Sequence, residues 1–331
     1  MADQSPRRVI VRVDANADQN SRCRTESVLI DRLLPTIEPI LGAGDSVVII
    51  GSCGRPVIGP RDTFVRIRSN NPELQFNQFA ATIGRALGLQ NDPELQPMPT
   101  VQIPGYQLSE QLTVLENLAF DPREGRNDQV LARQLAAIGS EYVIDDVRSL
   151  NDHTSSIASM PKAVPTRLSD QVAAELSVLD QLIQQPRRPF IAVVGGSQVA
   201  RKLALIRRLG PVVDELLVTG EVANTFLAAR GVDVKRTIID ASQVDAAKQL
   251  SGRFENKLTL PTDFVWRLQR IMDIGSQTRE RFARSIASAA SVLLTGPAGV
   301  VSLQLEAFHH GTDAVLQATQ ANTMADRILI G

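Results

Sequence analysis

Two glycine turns hold the residues of this chain best placed to do chemistry. The apolar run Phe190-Ile191-Ala192-Val193-Val194 is followed by Gly195-Gly196-Ser197-Gln198 and then by a helical pattern from Val199. Further on, Val292-Leu293-Leu294 leads through Thr295 into Gly296-Pro297-Ala298-Gly299-Val300 and a second helical pattern. Strand, glycine turn, helix is the geometry that brings backbone N–H groups to a phosphate at a helix N-terminus. Lys202, in the first turn of the first of these helices, would add a charge there. A further strand, Arg327 to Ile330, ends at Gly331. The pattern points to a nucleotide-binding type of α/β fold. A bland reading stands beside the sharp one at each position. Gly195, Gly196, Gly296 and Gly299 also suit αL or close-packed turns with no ligand, and Lys202 also suits a solvated helix face.

The elements that would position these turns alternate along the whole chain. In the first half, strands are expected at Val9 to Val13, Ser46 to Ile50, Leu112 to Leu115 and Tyr142 to Ile144. Helices are expected at Ser27 to Leu41, Phe76 to Leu87 and Gln129 to Ile138, the first with Leu29, Leu33, Ile37 and Ile40 on one stripe. Pro161 to Pro165 breaks the pattern, and a helix from Asp170 to Gln184 follows, closed by Gln185-Pro186-Arg187-Arg188-Pro189. The second half has strands at Phe190 to Val194, Glu215 to Val218, Thr237 to Ile239, Leu258 to Leu260, Val292 to Leu294 and Arg327 to Ile330. Its helices are Val199 to Leu209, Ala223 to Arg230, Ser276 to Ala290 and Ser302 to His310. This alternation predicts two Rossmann-like parallel-sheet domains joined by a helical hinge: residues 1–166, a connector at 167–188, and residues 189–331.

The 331 residues suffice for two cores. A net charge of −1 gives no electrostatic reason to invoke nucleic acid or an anionic membrane, and no apolar run is long enough to span a bilayer. The N-terminus lacks a signal-peptide stretch, and Cys23 and Cys53 make no disulfide framework, so a cytoplasmic protein is expected. His153, His309 and His310 with those cysteines show no metal-ligand spacing. His309-His310 before Gly311 reads as a helix C-terminus, where histidine suits the dipole, and Trp266 as core or a covered edge.

Several short motifs, in one order, resemble the phosphoglycerate kinase family. They are Arg12-Val13-Asp14-Ala15-Asn16, Leu34-Pro35-Thr36-Ile37, Gly54-Arg55-Pro56, Leu115-Glu116-Asn117-Leu118-Ala119-Phe120 and Arg188-Pro189-Phe190 through Gly195-Gly196. Thr225-Phe226-Leu227, Asp273-Ile274-Gly275, Gly296-Pro297-Ala298-Gly299-Val300 and Glu306-Ala307-Phe308 follow. The resemblance covers nearly the whole chain. It implies a first domain that binds an acidic three-carbon substrate through Asp14, Asn16 and Arg55, and a second that binds MgADP or MgATP through Gly195, Gly196, Lys202, Gly220, Gly296, Pro297 and Gly299. Phosphoryl transfer is mostly positioning and charge neutralisation, so the family's basic side chains are its catalyst. Bland readings remain open for the first set: Arg55 pairing a local carboxylate, Asp14 and Asn16 capping the next loop.

The chain departs from the family pattern at most of those basic positions. Leu29 and Ala119 stand where the resemblance places arginines, and Ser52 where it places a histidine. Asn151-Asp152 replaces a histidine-arginine pair, with His153 one place late. Gln198 replaces the first of two lysines and Lys202 keeps the second, the one candidate catalytic residue. Thr219-Gly220-Glu221 replaces a glycine run, Thr295 an asparagine and Ser302 an acidic ribose contact. The stretch between Trp266 and Asp273 is shorter than the family's, and its terminal phosphate loop is not found before Gly331. Leucine and alanine supply none of the charge-assisted contacts that a phosphorylated acid needs. Three functions are therefore carried: a divergent relative with little or no kinase activity acting as a binding or assembly protein; a working phosphoglycerate kinase; and an ADP- or ATP-binding regulator. A nucleotide or a small phosphorylated acid is expected to bind weakly, with MgADP or MgATP as cofactor only if the nucleotide site survives; the protein partner is unknown.

Overall fold

The computed structural model describes residues 6–16, 27–59, 61–90, 92–147, 149–300 and 308–330. The chain divides into two compact units, residues 1–176 and 177–331.

In the first unit the order is β1 (Arg8–Asp14), α1 (Ser27–Gly42), β2 (Ser46–Ser52), α2 (Phe64–Asn70), α3 (Asn77–Ala86), β3 (Glu94–Gln96), β4 (Gly105–Gln107), β5 (Leu112–Leu115), α4 (Pro122–Gly125), α5 (Gln129–Ala136), β6 (Glu141–Ile144) and β7 (Thr166–Leu168). They build a seven-stranded sheet of order β3-β4-β5-β2-β1-β6-β7. From β5 to β7 the neighbours are parallel, and β3 and β4 add an antiparallel edge. Central strands such as β2, with Val47-Val48-Ile49-Ile50, read as continuous apolar runs because both faces are covered. Val9, Val11 and Val13 face α1 and α3, where Leu29, Leu33, Ile37, Phe79 and Ile83 pack; Ile10 faces α5 through Leu131 and Leu135. The proline segment is no free linker: Pro165 O accepts from Tyr142 N, and the chain runs straight into β7.

Helix α6 (Asp170–Gln184) contains the division between the units. The second unit continues with β8 (Phe190–Val194), α7 (Val199–Leu209), β9 (Glu215–Val218), α8 (Gly220–Ala229), α9 (Val244–Arg253), β10 (Leu258–Thr259), β11 (Phe264–Arg267), β12 (Arg270–Ile274), α10 (Ser276–Ala287), β13 (Ser291–Thr295), α11 (His310–Ala321) and β14 (Asp326–Ile330). Its five-stranded sheet, of order β10-β9-β8-β13-β14, is wholly parallel. Helices α7, α8 and α9 cover one face, α10 and α11 the other. β11 and β12 form a separate antiparallel hairpin.

Four expectations are corrected. Thr237 to Ile239 is not a strand: Thr237 meets the neighbouring segment by its side chain, its Oγ1 accepting from Ile271 N. His309-His310 opens α11 instead of ending a helix; Gly311 lies within it, at a close contact where a Cβ would sit 2.1 Å from Asp273 Oδ1. Trp266 is neither core nor covered edge but 40% exposed on β11. Cys53, fully buried, is disulfide-bonded, whereas no disulfide was expected; Cys23 lies outside the described residues. The expected helix from Ser302 to His310 falls mostly on residues 301–307, also outside them. Among the described residues no helix is long and apolar enough to cross a membrane, and no cluster of His, Cys, Asp or Glu is placed to hold a metal.

Candidate functional site

In the second sheet the strand order reverses between β8 and β13, so the crevice beyond their carboxyl ends is the place where open α/β sheets take ligands. Three turns meet there: Gly195-Gly196 after β8, Thr219-Gly220 after β9 and Gly296-Pro297-Ala298 after β13. Their backbones interlock. Gly195 N donates to Thr295 O at 2.8 Å, Gly196 N to Pro297 O at 2.7 Å, Gly220 N to Ala298 O at 3.1 Å and Glu221 N to Gly196 O at 3.1 Å. Glycine is required by this closeness. A Cβ on Gly195 would lie 2.2 Å from Thr219 Oγ1 and 2.4 Å from Pro297 O. Gly220, at φ 62°, has Gly196 N only 2.6 Å from where its Cβ would be.

This changes the expected role of the glycines. The N–H groups of Gly195 and Gly196 hold the neighbouring turns together and do not point at a ligand. The N–H groups left without an intrahelical partner are those of the first turn of α7. Gln198 stands at its N-cap in the left-handed region, φ 59°, exposed and making no capping bond. Lys202, half-buried, donates to Thr295 Oγ1, and burial pulls its pKa down. Thr219 is fully buried, its hydroxyl unpartnered against Gly195. It fills space beneath the turns. Glu221 opens α8; burial, then the charge of Asp240, raise its pKa. Gly299 packs where a Cβ would meet Phe308 O at 2.2 Å and Asp273 Oδ1 at 2.6 Å, a structural position.

In the first unit, Asp14 and Asn16 act on the loop after β2. Asp14 Oδ1 accepts from Asn16 N at 2.9 Å and from Asn16 Nδ2 at 2.6 Å, and Asn16 Oδ1 accepts from Gly54 N at 2.7 Å. Asn117 clamps the same loop from the other side: it accepts from Cys53 N and donates to Cys53 O and Leu74 O. Glu116, wholly buried, accepts from Arg68 Nε, Tyr106 OH, Phe76 N and Asn117 N. The loop thus held presents Arg55 to solvent, with no ion pair among the described residues. The capping reading of Asp14 and Asn16 describes their contacts. Leu29 sits in the core with Val11 and Leu33, far from any role as a cation. Ala119 is half-buried, Asn151 and His153 are exposed, and Asp152 puts a carboxylate where the resemblance places a cation.

Sequence reasoning missed Arg68, Glu116 and Asn117 as the frame of the Arg55 loop, although the Leu-Glu-Asn motif marked two of them. It also missed Thr295 as the partner of Lys202 and Asp240 as the neighbour of Glu221; no spacing signals either pair.

The family model for phosphoglycerate kinase matches residues 2–331. The phosphoglycerate kinase of Moorella thermoacetica is 32% identical over 340 residues, 95% of this chain and 83% of that one. That of Thermus thermophilus is 31% identical over 349 residues, 96% and 85% of the two chains. Among solved structures, phosphoglycerate kinase from Coxiella burnetii superposes with a TM-score of 0.70 at 26% identity, covering 98% of this chain and 85% of that one. A match that runs through both sheets, the interlocked turns and the Arg55 loop places this chain in the phosphoglycerate kinase family.

Proposed function

We propose that this chain is a cytoplasmic member of the phosphoglycerate kinase family that binds the family's ligands weakly, transfers phosphate little or not at all, and serves as a binding or assembly protein. One observation carries the reading: most of the family's cationic positions have become apolar, neutral or acidic, and Leu29 is built into the core. Each lost contact to developing charge typically costs about 2.7–4 kcal/mol in the transition state, so several together abolish turnover. A coupled assay between 1,3-bisphosphoglycerate and ADP, run at high enzyme concentration against a heat-killed control, tests it. The expected rate is indistinguishable from the control.

The comparisons favour a second reading. The relatives are named phosphoglycerate kinase, and the chain matches them across both units, with the turns and Lys202 kept. On that reading the chain is an active kinase of glycolysis or carbon fixation. Turnover of about 1 per second, the low end for kinases, that is lost in Lys202→Ala would establish it and overturn the first.

A further inference from the structure

Away from the interlocked turns, the loop 232–238 and the β11–β12 hairpin form one surface. Arg236 N donates to Gln269 O at 3.1 Å and Ile271 N to Thr237 Oγ1 at 2.9 Å. Leu268, at the hairpin tip, is 81% exposed; Trp266, Ile238 and Val232 are exposed beside it. Lys235, Arg236, Arg267 and Arg270 are exposed among them, with Lys235 Nζ 4.8 Å from the Trp266 ring centre. Asp233 is the one carboxylate on residues 232–238 and 264–272, and its Oδ1 accepts from Lys235 N.

Two features of this surface carry a conformational or electrostatic cost, although Lys235 lies over the Trp266 ring and Arg267 over the Phe308 ring. Lys235, Leu268 and Gln269 have φ of 51°, 48° and 62°, in the left-handed region that bulky side chains avoid. A two-residue turn of this kind ordinarily takes Asn-Gly. Arg267 and Arg270 stand directly opposite each other across the hairpin, a like-charge pair. The turn holds a leucine outward between two like-charged arginines, an arrangement that an anion near both would relieve.

We propose that this surface docks the chain reversibly on an anionic phospholipid bilayer. Leu268 enters the acyl boundary, Trp266 lies at headgroup level, and the four cations meet lipid phosphates. A bilayer fits better than an acidic protein because the apolar groups stand on a convex tip ringed by charge; a protein would need a pocket to receive it. The chain's net charge of −1 does not oppose this, since charges more than about 8 Å away are screened at physiological salt.

Co-sedimentation of the full chain with phosphatidylcholine vesicles, pure or with about a third phosphatidylserine, tests the proposal. Binding is expected to the mixed vesicles only, weakening as salt rises. Leu268→Asn is the informative variant, since asparagine tolerates the left-handed turn and keeps the fold, shown by an unchanged or higher melting temperature. It should bind the mixed vesicles about tenfold more weakly, as should Arg267→Gln/Arg270→Gln. No binding at low salt, or equal binding by folded Leu268→Asn, overturns the proposal. So does displacement from vesicles by poly-glutamate at matched charge, which would assign the surface to an acidic polypeptide.

Discussion

Lys202 and Thr295 meet at the point where the second sheet reverses its strand order: the ammonium on the first turn of α7 donates to the hydroxyl that ends β13. Among the described residues no carboxylate pairs with it, and burial lowers the lysine's pKa from its usual 10.5. Between the lowered value and 10.5 the unfolded chain binds more protons than the folded one, so stability rises with pH across that window. Charged Lys202 is therefore a cost to the fold at neutral pH. Lys202→Met should leave the urea midpoint at pH 7 unchanged or raise it, and flatten the alkaline rise. A loss of more than about 1 kcal/mol would mean that the contact with Thr295 is net favourable.

Glu221 is the opposite case at the same turns. Burial and Asp240 raise its pKa, so an acid is held protonated above its usual range. A raised acid contributes stability below its unfolded pKa and loses it as pH rises through the folded value. Glu221 N donates to Gly196 O, so the acid stands at the turn that precedes α7, where its charged form would repel phosphate. Glu221→Gln should tighten MgADP binding by about three- to tenfold, read by calorimetry, and leave stability level or slightly higher. An unchanged dissociation constant would show that its charge does not reach the ligand.

The elements were legible where packing is two-sided and the turn signals are ordinary. Phe190 to Val194 is β8 residue for residue because a run buried on both faces has no polar position to blur its ends. Asp170 to Gln184 is α6 for a similar reason, with a proline break on either side. The hairpin was not legible, because Leu268-Gln269 carries no glycine or asparagine to announce a left-handed turn. Helix α11 was missed because Gly311 looks like a cap and is in fact a close contact with Asp273. At the site, identity was visible and function was not. That Gly195 and Gly196 donate to backbone, and that Leu29 is core, are facts of three-dimensional packing between segments about a hundred residues or more apart in the case of the turns.

The carboxylate of Glu116 braces the Arg55 loop at one remove, through the backbone N–H of Asn117, whose side chain holds Cys53. Itself unexposed, it accepts four hydrogen bonds and pairs Arg68, whose side chain is 24% exposed. Removing one member of such a buried pair leaves the other uncompensated, at about 3–5 kcal/mol. Glu116→Ala should lower the unfolding free energy by up to that much, read from the denaturant midpoint, and Glu116→Gln by less.

The two tyrosines give that frame an optical test. Burial first, then the charge of Glu116, push Tyr106 up to about 12, and burial raises Tyr142 further. A phenol raised in the fold contributes stability below its unfolded pKa of 10.0, lost as pH rises through about 12. Titration at the tyrosinate band should show no native step near pH 10, with absorbance appearing above that or together with unfolding. A native step near pH 10 would mean that Tyr106 has left Glu116.

The interlock of the three turns can be tested at Gly195 independently of any ligand. A Cβ there would collide with Thr219 Oγ1 at 2.2 Å and with Pro297 O at 2.4 Å. The first obstacle is a side chain that can be removed. The second is backbone, fixed because Pro297 O also accepts from Gly196 N. Gly195→Ala should therefore destabilise by more than about 3 kcal/mol, at the upper end of single substitutions. The double variant Gly195→Ala/Thr219→Gly should recover little of it. Thr219→Val alone should raise stability by about 1 kcal/mol, since it removes a buried hydroxyl without a partner and keeps its shape. Recovery of the double variant to near the parent's midpoint would mean that Thr219, not the backbone of Pro297, sets the need for glycine.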